Sequence, residues 1–130
     1  MKYNNFSIIK YLFYFSLIIL LIIYLFPGSL IGYILYGNIG RQPDFILNPI
    51  GTSINHLIFF FYLSVLGFIF RNNQTKFINS FSFLFLISII LELLHYFIPN
   101  RSFELNDLYA NSAGVVLAFL IVRFLRKIKN

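Results

Sequence analysis

The chain has no cysteine, few charges and very little acid. Without cysteine, disulfides and thiol chemistry are both excluded. Charged residues make up only 11% of the 130 positions, against roughly 25% in an ordinary soluble domain. That is too little charge to cover a water-facing surface. Acids number four: Asp44, Glu92, Glu104 and Asp107. There is no Gly-x-Ser-x-Gly elbow and no phosphate-cradling glycine loop, so serine acyl transfer and nucleotide-phosphate chemistry have no support. No internal repeat or low-complexity tract divides the chain, and its length fits one domain, 1–130.

What is present is apolar. Hydrophobic residues make up 59% of the chain and the mean hydropathy is +0.82. Lipid is the solvent this composition fits. The net charge of +6 raises the question of nucleic acid, but the basic residues are not arranged as a patch. Lys2 and Lys10 lie at the N-terminus, Arg71 and Lys76 bracket a short polar break, and Arg123, Arg126, Lys127 and Lys129 crowd the C-terminus. These are the basic flanks of membrane spans, and no nucleic-acid partner is expected.

A hydrocarbon core of about 30 Å takes about 20 helical residues. Four runs have that length: about 8–26, 54–70, 77–98 and 108–125. Proline follows the first and third, where it cannot continue the hydrogen-bond ladder. The expected fold is therefore all-α, an integral membrane bundle of four transmembrane helices. The first run is too long for the apolar core of a signal peptide and has no clean small-x-small cleavage site after it, so it reads as an uncleaved span. With both termini cytoplasmic, eight basic residues face inward and only Arg41 and Arg101 face outward. This follows the positive-inside rule and predicts a multi-pass protein of the cell membrane. All four acids then fall at or near the outer face. The segment 27–53, rich in glycine and proline, reads either as an interfacial or re-entrant stretch or as a partly ordered outer loop.

The polar residues are concentrated near the C-terminal end. On the third run, Ser88, Glu92, His95 and Pro99 fall on one helical stripe. Glu92 lies six residues before Ile98, about 9 Å below the outer boundary of a continuous helix. An unpaired carboxylate at that depth is costly, so Glu92 calls for a partner, a proton or a wet cavity. On the fourth run, Asp107, Asn111, Gly114 and Ala118 share a face, and Ala110, Gly114 and Ala118 form a small-xxx-small ridge. The short connection predicts antiparallel neighbours, with this face packed on the Glu92 stripe. Glu92, His95, Arg101, Asp107, Asn111 and His56 form the candidate functional cluster, with Ala110, Gly114 and Ala118 as packing positions. Each has a plain alternative: Asp107 complements a helix dipole, Asn111 is an interhelical strut, Arg101 binds headgroup phosphate, and His56 is an interfacial side chain. Glu92-x-x-His95 has the spacing of di-metal bundles, but only one such pair exists where those sites need two. His56 and Asp107 are available to complete a mononuclear site, although nothing in the spacing demands it. No metal and no other cofactor is assigned.

At these residues the chain resembles the VanZ-like family of small bacterial membrane proteins. Glu92, Arg101, Asp107, Asn111 and Gly114 stand at positions and in an order that match the family's Glu-x-x-Gln, Arg, Asp, Asn and Gly elements. His56 matches the histidine of an Asp-Lys-x-x-His segment that opens an earlier helix. His95 stands where the family usually has glutamine, and Thr52 and Ser53 stand where aspartate and lysine are expected. The resemblance implies an envelope membrane protein and a link to glycopeptide, specifically teicoplanin, resistance. It supplies no reaction.

Two functions are therefore expected in competition. The first is a binding protein whose outer-face cluster takes an anionic lipid headgroup, a lipid-linked wall precursor or a partner protein, with Arg101 on phosphate or carboxylate. The second is an enzyme acting on a lipid-linked substrate at the outer leaflet, with Glu92 or Asp107 as acid or base and a histidine beside it. The lack of an identifiable nucleophile favours the first. A purely structural cluster that pins the helices together is the third alternative. Partners beyond the bilayer, and the oligomeric state, are not specified by the sequence.

Overall fold

The computed structural model describes residues 2–43, 51, 53–70 and 77–129. Asp44, Thr52, Arg71 and Lys76, used above in reading charge and motif, lie outside the described residues. Every regular element among those described is helical: α1 Lys2–Leu25, α2 Leu30–Tyr36, α3 Ser53–Phe70, α4 Phe81–Leu94 and α5 Leu105–Lys129, with a 3₁₀ turn over Phe77–Asn79. Three of these contain stretches long and apolar enough to cross a membrane, Ser7–Leu25, Ser53–Phe70 and Leu105–Lys129, while Phe81–Leu94 is a shorter apolar helix.

Each helix stops for a local reason. α1 runs without glycine or proline until Pro27-Gly28, where Gly28 takes a φ of 94°. In the segment whose form the sequence left open, Ser29 caps α2 by accepting the Gly32 N–H at 2.9 Å. The chain after α2 then doubles back, and a Cβ on Gly32 would lie 1.6 Å from the Arg41 carbonyl oxygen. Only glycine permits that approach.

The third apolar run differs from the expected span of 77–98. Ser80 interrupts it: its hydroxyl bonds the Phe77 carbonyl at 2.6 Å and accepts the Phe83 N–H at 3.2 Å. A serine offers the backbone this alternative and so starts a helix rather than continuing one. At the far end His95, Tyr96 and Phe97 each donate to the carbonyl three residues back, a tightened turn, and Asn100 takes a left-handed φ of 58°. Pro99 disfavours α geometry just before it. α4 is thus 14 residues long, about 21 Å. Glu92 sits in its last turn, closer to the helix mouth than a continuous span implies.

The core is shared by α1, α3, α4 and α5, with Phe13, Phe60, Leu84, Val115 and Ala118 fully buried. α3 and α5 pack most extensively; α1 lies on α3 and α4 lies on α5. The expected packing of the α5 face on the Glu92 stripe holds at Asn111, which bonds Glu92 and the Ser88 carbonyl of α4, and is corrected at Gly114. A Cβ on Gly114 would stand 2.5 Å from the Leu57 carbonyl oxygen and 2.9 Å from the Phe61 backbone nitrogen. Gly114 therefore presses on the backbone of α3, not on α4. The reason is shape: a residue without a side chain lets two helix backbones approach this closely. Ala118 is buried in the same core, and Ala110 is half-buried. At the opposite end of the bundle, Arg126 donates to the Phe68 carbonyl in the last turn of α3.

The outward faces are apolar too. Only 22% of the α1 window and 28% of the α5 window is buried within the molecule, and the remainder presents side chains such as Phe15, Ile18, Leu120 and Phe124. Helices apolar all round fit a lipid surrounding.

Candidate functional site

The polar residues meet where α1 and α4 end and α3 and α5 begin. Asn111, fully buried, is the hub. Its amide nitrogen donates to Glu92 Oε2 and to the Ser88 carbonyl, both at 3.3 Å. Its oxygen accepts the Tyr24 hydroxyl at 2.7 Å. One side chain of α5 thereby ties α1 and α4 together. Glu92 has no exposed surface. Its Oε1 accepts the Glu104 N–H and lies against His95 Nδ1, both at 3.2 Å. The carboxylate thus satisfies a backbone donor at the start of α5, where anionic groups are stabilised.

His56 sits between the two buried acids. Its Nδ1 lies 2.9 Å from the Tyr24 hydroxyl, 3.2 Å from Asn111 Oδ1 and 3.6 Å from Glu92 Oε2. Its Nε2 lies 3.4 Å from Asp107 Oδ2. Ser53 at the start of α3 donates to Asp107 Oδ1 at 2.5 Å. Among the described residues no lysine or arginine forms an ion pair with Glu92 or Asp107; histidines are the basic side chains beside them. His95 bridges Glu92 to α1, with Nε2 3.2 Å from the Tyr24 carbonyl, and its ring stacks on Tyr24 at 5.6 Å between centroids. Both its nitrogens face acceptors, so holding both contacts takes a proton on each.

The expected cluster of His56, Glu92, His95, Asp107 and Asn111 is therefore one network. Arg101 stands beside it in a different role. Its guanidinium donates to Ile23 O at 2.7 Å and Phe26 O at 3.3 Å, closing the carbonyl end of α1 as a cation does at a helix C-terminus. Burial pushes the Arg101 pKa down, and the Tyr24, Glu92 and Asp107 side chains oppose that shift; an arginine starting this high stays charged. Pro99, placed on the Glu92 stripe by helical periodicity, is exposed and beyond the helix.

Two members escaped the sequence reading as site residues. Tyr24 is 3% exposed and touches both histidines and Asn111. Its signal was the spacing Phe13, Leu17, Leu20, Tyr24, a packing stripe that ends in a hydroxyl needing a partner. Ser53 entered the sequence reading only as the residue standing where the VanZ-like motif has lysine, with no role assigned to it.

Around the network lies a chain of spaces. A cavity of about 470 Å³ is bounded by Arg41, Gln42, His56, His95, Arg101, Glu104 and Asp107, among others. A narrow neck between Ser29, Asn55, His56 and Arg101 adjoins it. Asn55 Oδ1, buried, has no hydrogen-bond partner among the described residues. The neck shares Ile23, Tyr24 and Phe59 with an apolar groove of about 450 Å³ along α1 and α3.

The sequence model of a family described as VanZ/LLP1 matches residues 4–126. The chain belongs to the VanZ/LLP1 family. No curated protein and no solved structure matches it. Membership and apolar helices together make it a membrane protein. The residues that carried the VanZ resemblance have distinct places: Glu92, Asp107, Asn111 and His56 lie inside the network, Arg101 at its rim, and Gly114 one turn inward against α3. His95, standing where glutamine is usual in VanZ-like proteins, supplies two donors as a glutamine amide does, provided both nitrogens are protonated.

Proposed function

We propose that this VanZ/LLP1 protein is a four-span protein of the cell membrane that binds the anionic headgroup of a lipid or lipid-linked wall precursor at its outer face. In this reading the termini are cytoplasmic. α4, with the tightened turns at both its ends, is the fourth and shortest span. The headgroup occupies the polar cavity, and Arg101 and Arg41 supply its positive rim. The observation that carries the reading is the adjacency of these spaces: the polar cavity and the neck share His56 and Arg101, and the neck and the apolar groove of α1 and α3 share Ile23, Tyr24 and Phe59. An amphiphile has this same two-part character, and charge-assisted contacts to arginine fit a phosphate or carboxylate.

The test uses the full chain in nanodiscs of neutral lipid, titrated with short-chain phosphatidylglycerol and with a polyprenyl phosphate. Arg41→Ala, at an exposed side chain whose guanidinium lies 4.0 Å over the Tyr36 ring, loses a charged contact worth about 1.5–3 kcal/mol, so its affinity falls about tenfold or more. Unaltered affinity in both Arg41→Ala and Arg101→Ala refutes the reading. A role in glycopeptide tolerance is checked in cells challenged with teicoplanin, where Asp107→Asn and Arg101→Ala lose tolerance at equal expression.

The Asp107–His56 pair favours one alternative, an enzyme acting on a lipid-linked substrate. A carboxylate beside an imidazole at the wall of a cavity is the arrangement of a general base. Turnover of the bound lipid by purified protein decides for it; binding without product decides against it.

A further inference from the structure

The two ring nitrogens of His56 have unequal surroundings. Nδ1 faces three oxygens, those of Tyr24, Asn111 and Glu92. The Tyr24 proton goes to Asn111 Oδ1, and that oxygen is itself fixed because the amide nitrogen donates to α4. With the Tyr24 proton so assigned, the hydrogen-bond pattern puts the ring hydrogen on Nδ1. In the neutral ring this leaves a lone pair on Nε2, aimed at Asp107 Oδ2 across 3.4 Å. Two acceptors do not face each other in a buried site unless a cation lies between them.

The separation separates the candidate cations. A charge-assisted N–H···O bond spans about 2.7–2.9 Å. Two ligands of one tetrahedral ion, with bonds of about 2.0–2.2 Å, stand about 3.4 Å apart. The observed 3.4 Å matches the second case. Glu92 completes the group: one ligand atom from each of His56, Glu92 and Asp107 lies within 4.8 Å of the others, although Glu92 Oε2 now stands nearer Nδ1, at 3.6 Å, and turns toward the ion on binding. All three are buried, and no lysine or arginine among the described residues pairs with either carboxylate. A dication offsets both charges.

We propose that His56, Glu92 and Asp107 form a binding site for a divalent transition cation, with zinc the ion best suited to one imidazole and two carboxylates. The surroundings are those of a metal ligand set. The hydroxyl of Tyr24 receives the second ring N–H of His56, which fixes the tautomer, and Ser53 holds the other oxygen of Asp107; such contacts orient ligands and tune affinity. His56 and Asp107 also line the open cavity, which gives the ion a route in and leaves one coordination position for water or an external anion. The spacing that drew attention in the sequence, Glu92-x-x-His95, is not the set; His95 turns to the Tyr24 carbonyl instead. The proposal stands apart from headgroup binding and needs no lipid to be tested.

The full chain, carrying an affinity tag without histidine, is purified in detergent without chelator, and its metal content is measured by elemental mass spectrometry. Stripped protein is then titrated with Zn²⁺ and with Co²⁺, whose visible absorption reports coordination. About one ion per chain is expected, with a cobalt spectrum of four- or five-coordinate type. His56→Ala and Asp107→Asn abolish both. Ser53→Ala, which leaves all three ligands in place, weakens affinity about 10- to 100-fold. Folded protein that binds neither ion at micromolar concentration overturns the proposal and leaves a proton between His56 and Asp107. Binding that survives the ligand substitutions overturns it as well. If the ligand variants fail to fold, undiminished affinity in Ser53→Ala has the same force.

Discussion

Tyr24 closes a circuit between residues far apart in the chain, because its hydroxyl meets Asn111 and His56 while its ring stacks on His95. Tyr24→Phe removes the hydroxyl and keeps the ring. Interhelical hydrogen bonds in membrane proteins are worth about 0.6 kcal/mol on average and up to about 1.7. We expect a loss of about that size, read as a lower unfolding midpoint in detergent, with the fold retained. His95 gives a sharper comparison. His95→Gln keeps a donor for Glu92 and for the Tyr24 carbonyl and is expected to change stability by less than about 1 kcal/mol. His95→Leu leaves a carboxylate lacking a contact in a site with no exposed surface and is expected to cost about 1–3 kcal/mol. Equal midpoints for the two variants would show that neither nitrogen contributes a bond that matters. Composition alone pointed to Glu92, since an acid in apolar surroundings is costly. It was silent on Tyr24, because an aromatic residue at the end of a span is ordinary until its partner is known.

At the scale of elements, the most extensive packing is between α3 and α5. Gly114→Ala places a methyl group 2.5 Å from the Leu57 carbonyl oxygen. The helices must separate, at a cost of about 1–3 kcal/mol of overpacking, and a lower unfolding midpoint measures it. The small ridge on α5 was readable from spacing, but not the helix it meets, because a ridge of small residues says only that some backbone comes near. The boundaries of α4 show the same limit. Hydropathy continues smoothly across 77–98, yet Ser80 and the turn after Leu94 cut the helix to 14 residues. Caps act through single hydroxyl and backbone contacts, to which an average over twenty residues is insensitive.

For the whole molecule, the orientation is open to a direct experiment because the chain has no cysteine of its own. Ser102→Cys lies in the exposed connection between α4 and α5, and Lys127→Cys lies in the exposed last turn of α5. With both termini inside, an impermeant thiol reagent labels the first in intact cells and labels the second only after permeabilisation. The reverse pattern inverts the molecule and moves the polar cavity to the cytoplasmic side. Either result keeps the bundle intact, since charge bias chooses a side without altering helix packing.

The amino-acid sequence by itself determined that this protein is helical, that its surroundings are lipid, and that its scarce polar groups gather near one end of the bundle. These follow from local runs of apolar residues and from the cost of exposing backbone or charge to hydrocarbon. Tertiary structure alone decided that Gly114 presses on α3, that Arg101 closes α1, and that His56 stands between Glu92 and Asp107. Those outcomes depend on side chains as distant as Tyr24 and Asn111, 87 residues apart. A hydrogen bond at that separation is fixed by how the helices cross, which no local stretch of chain encodes.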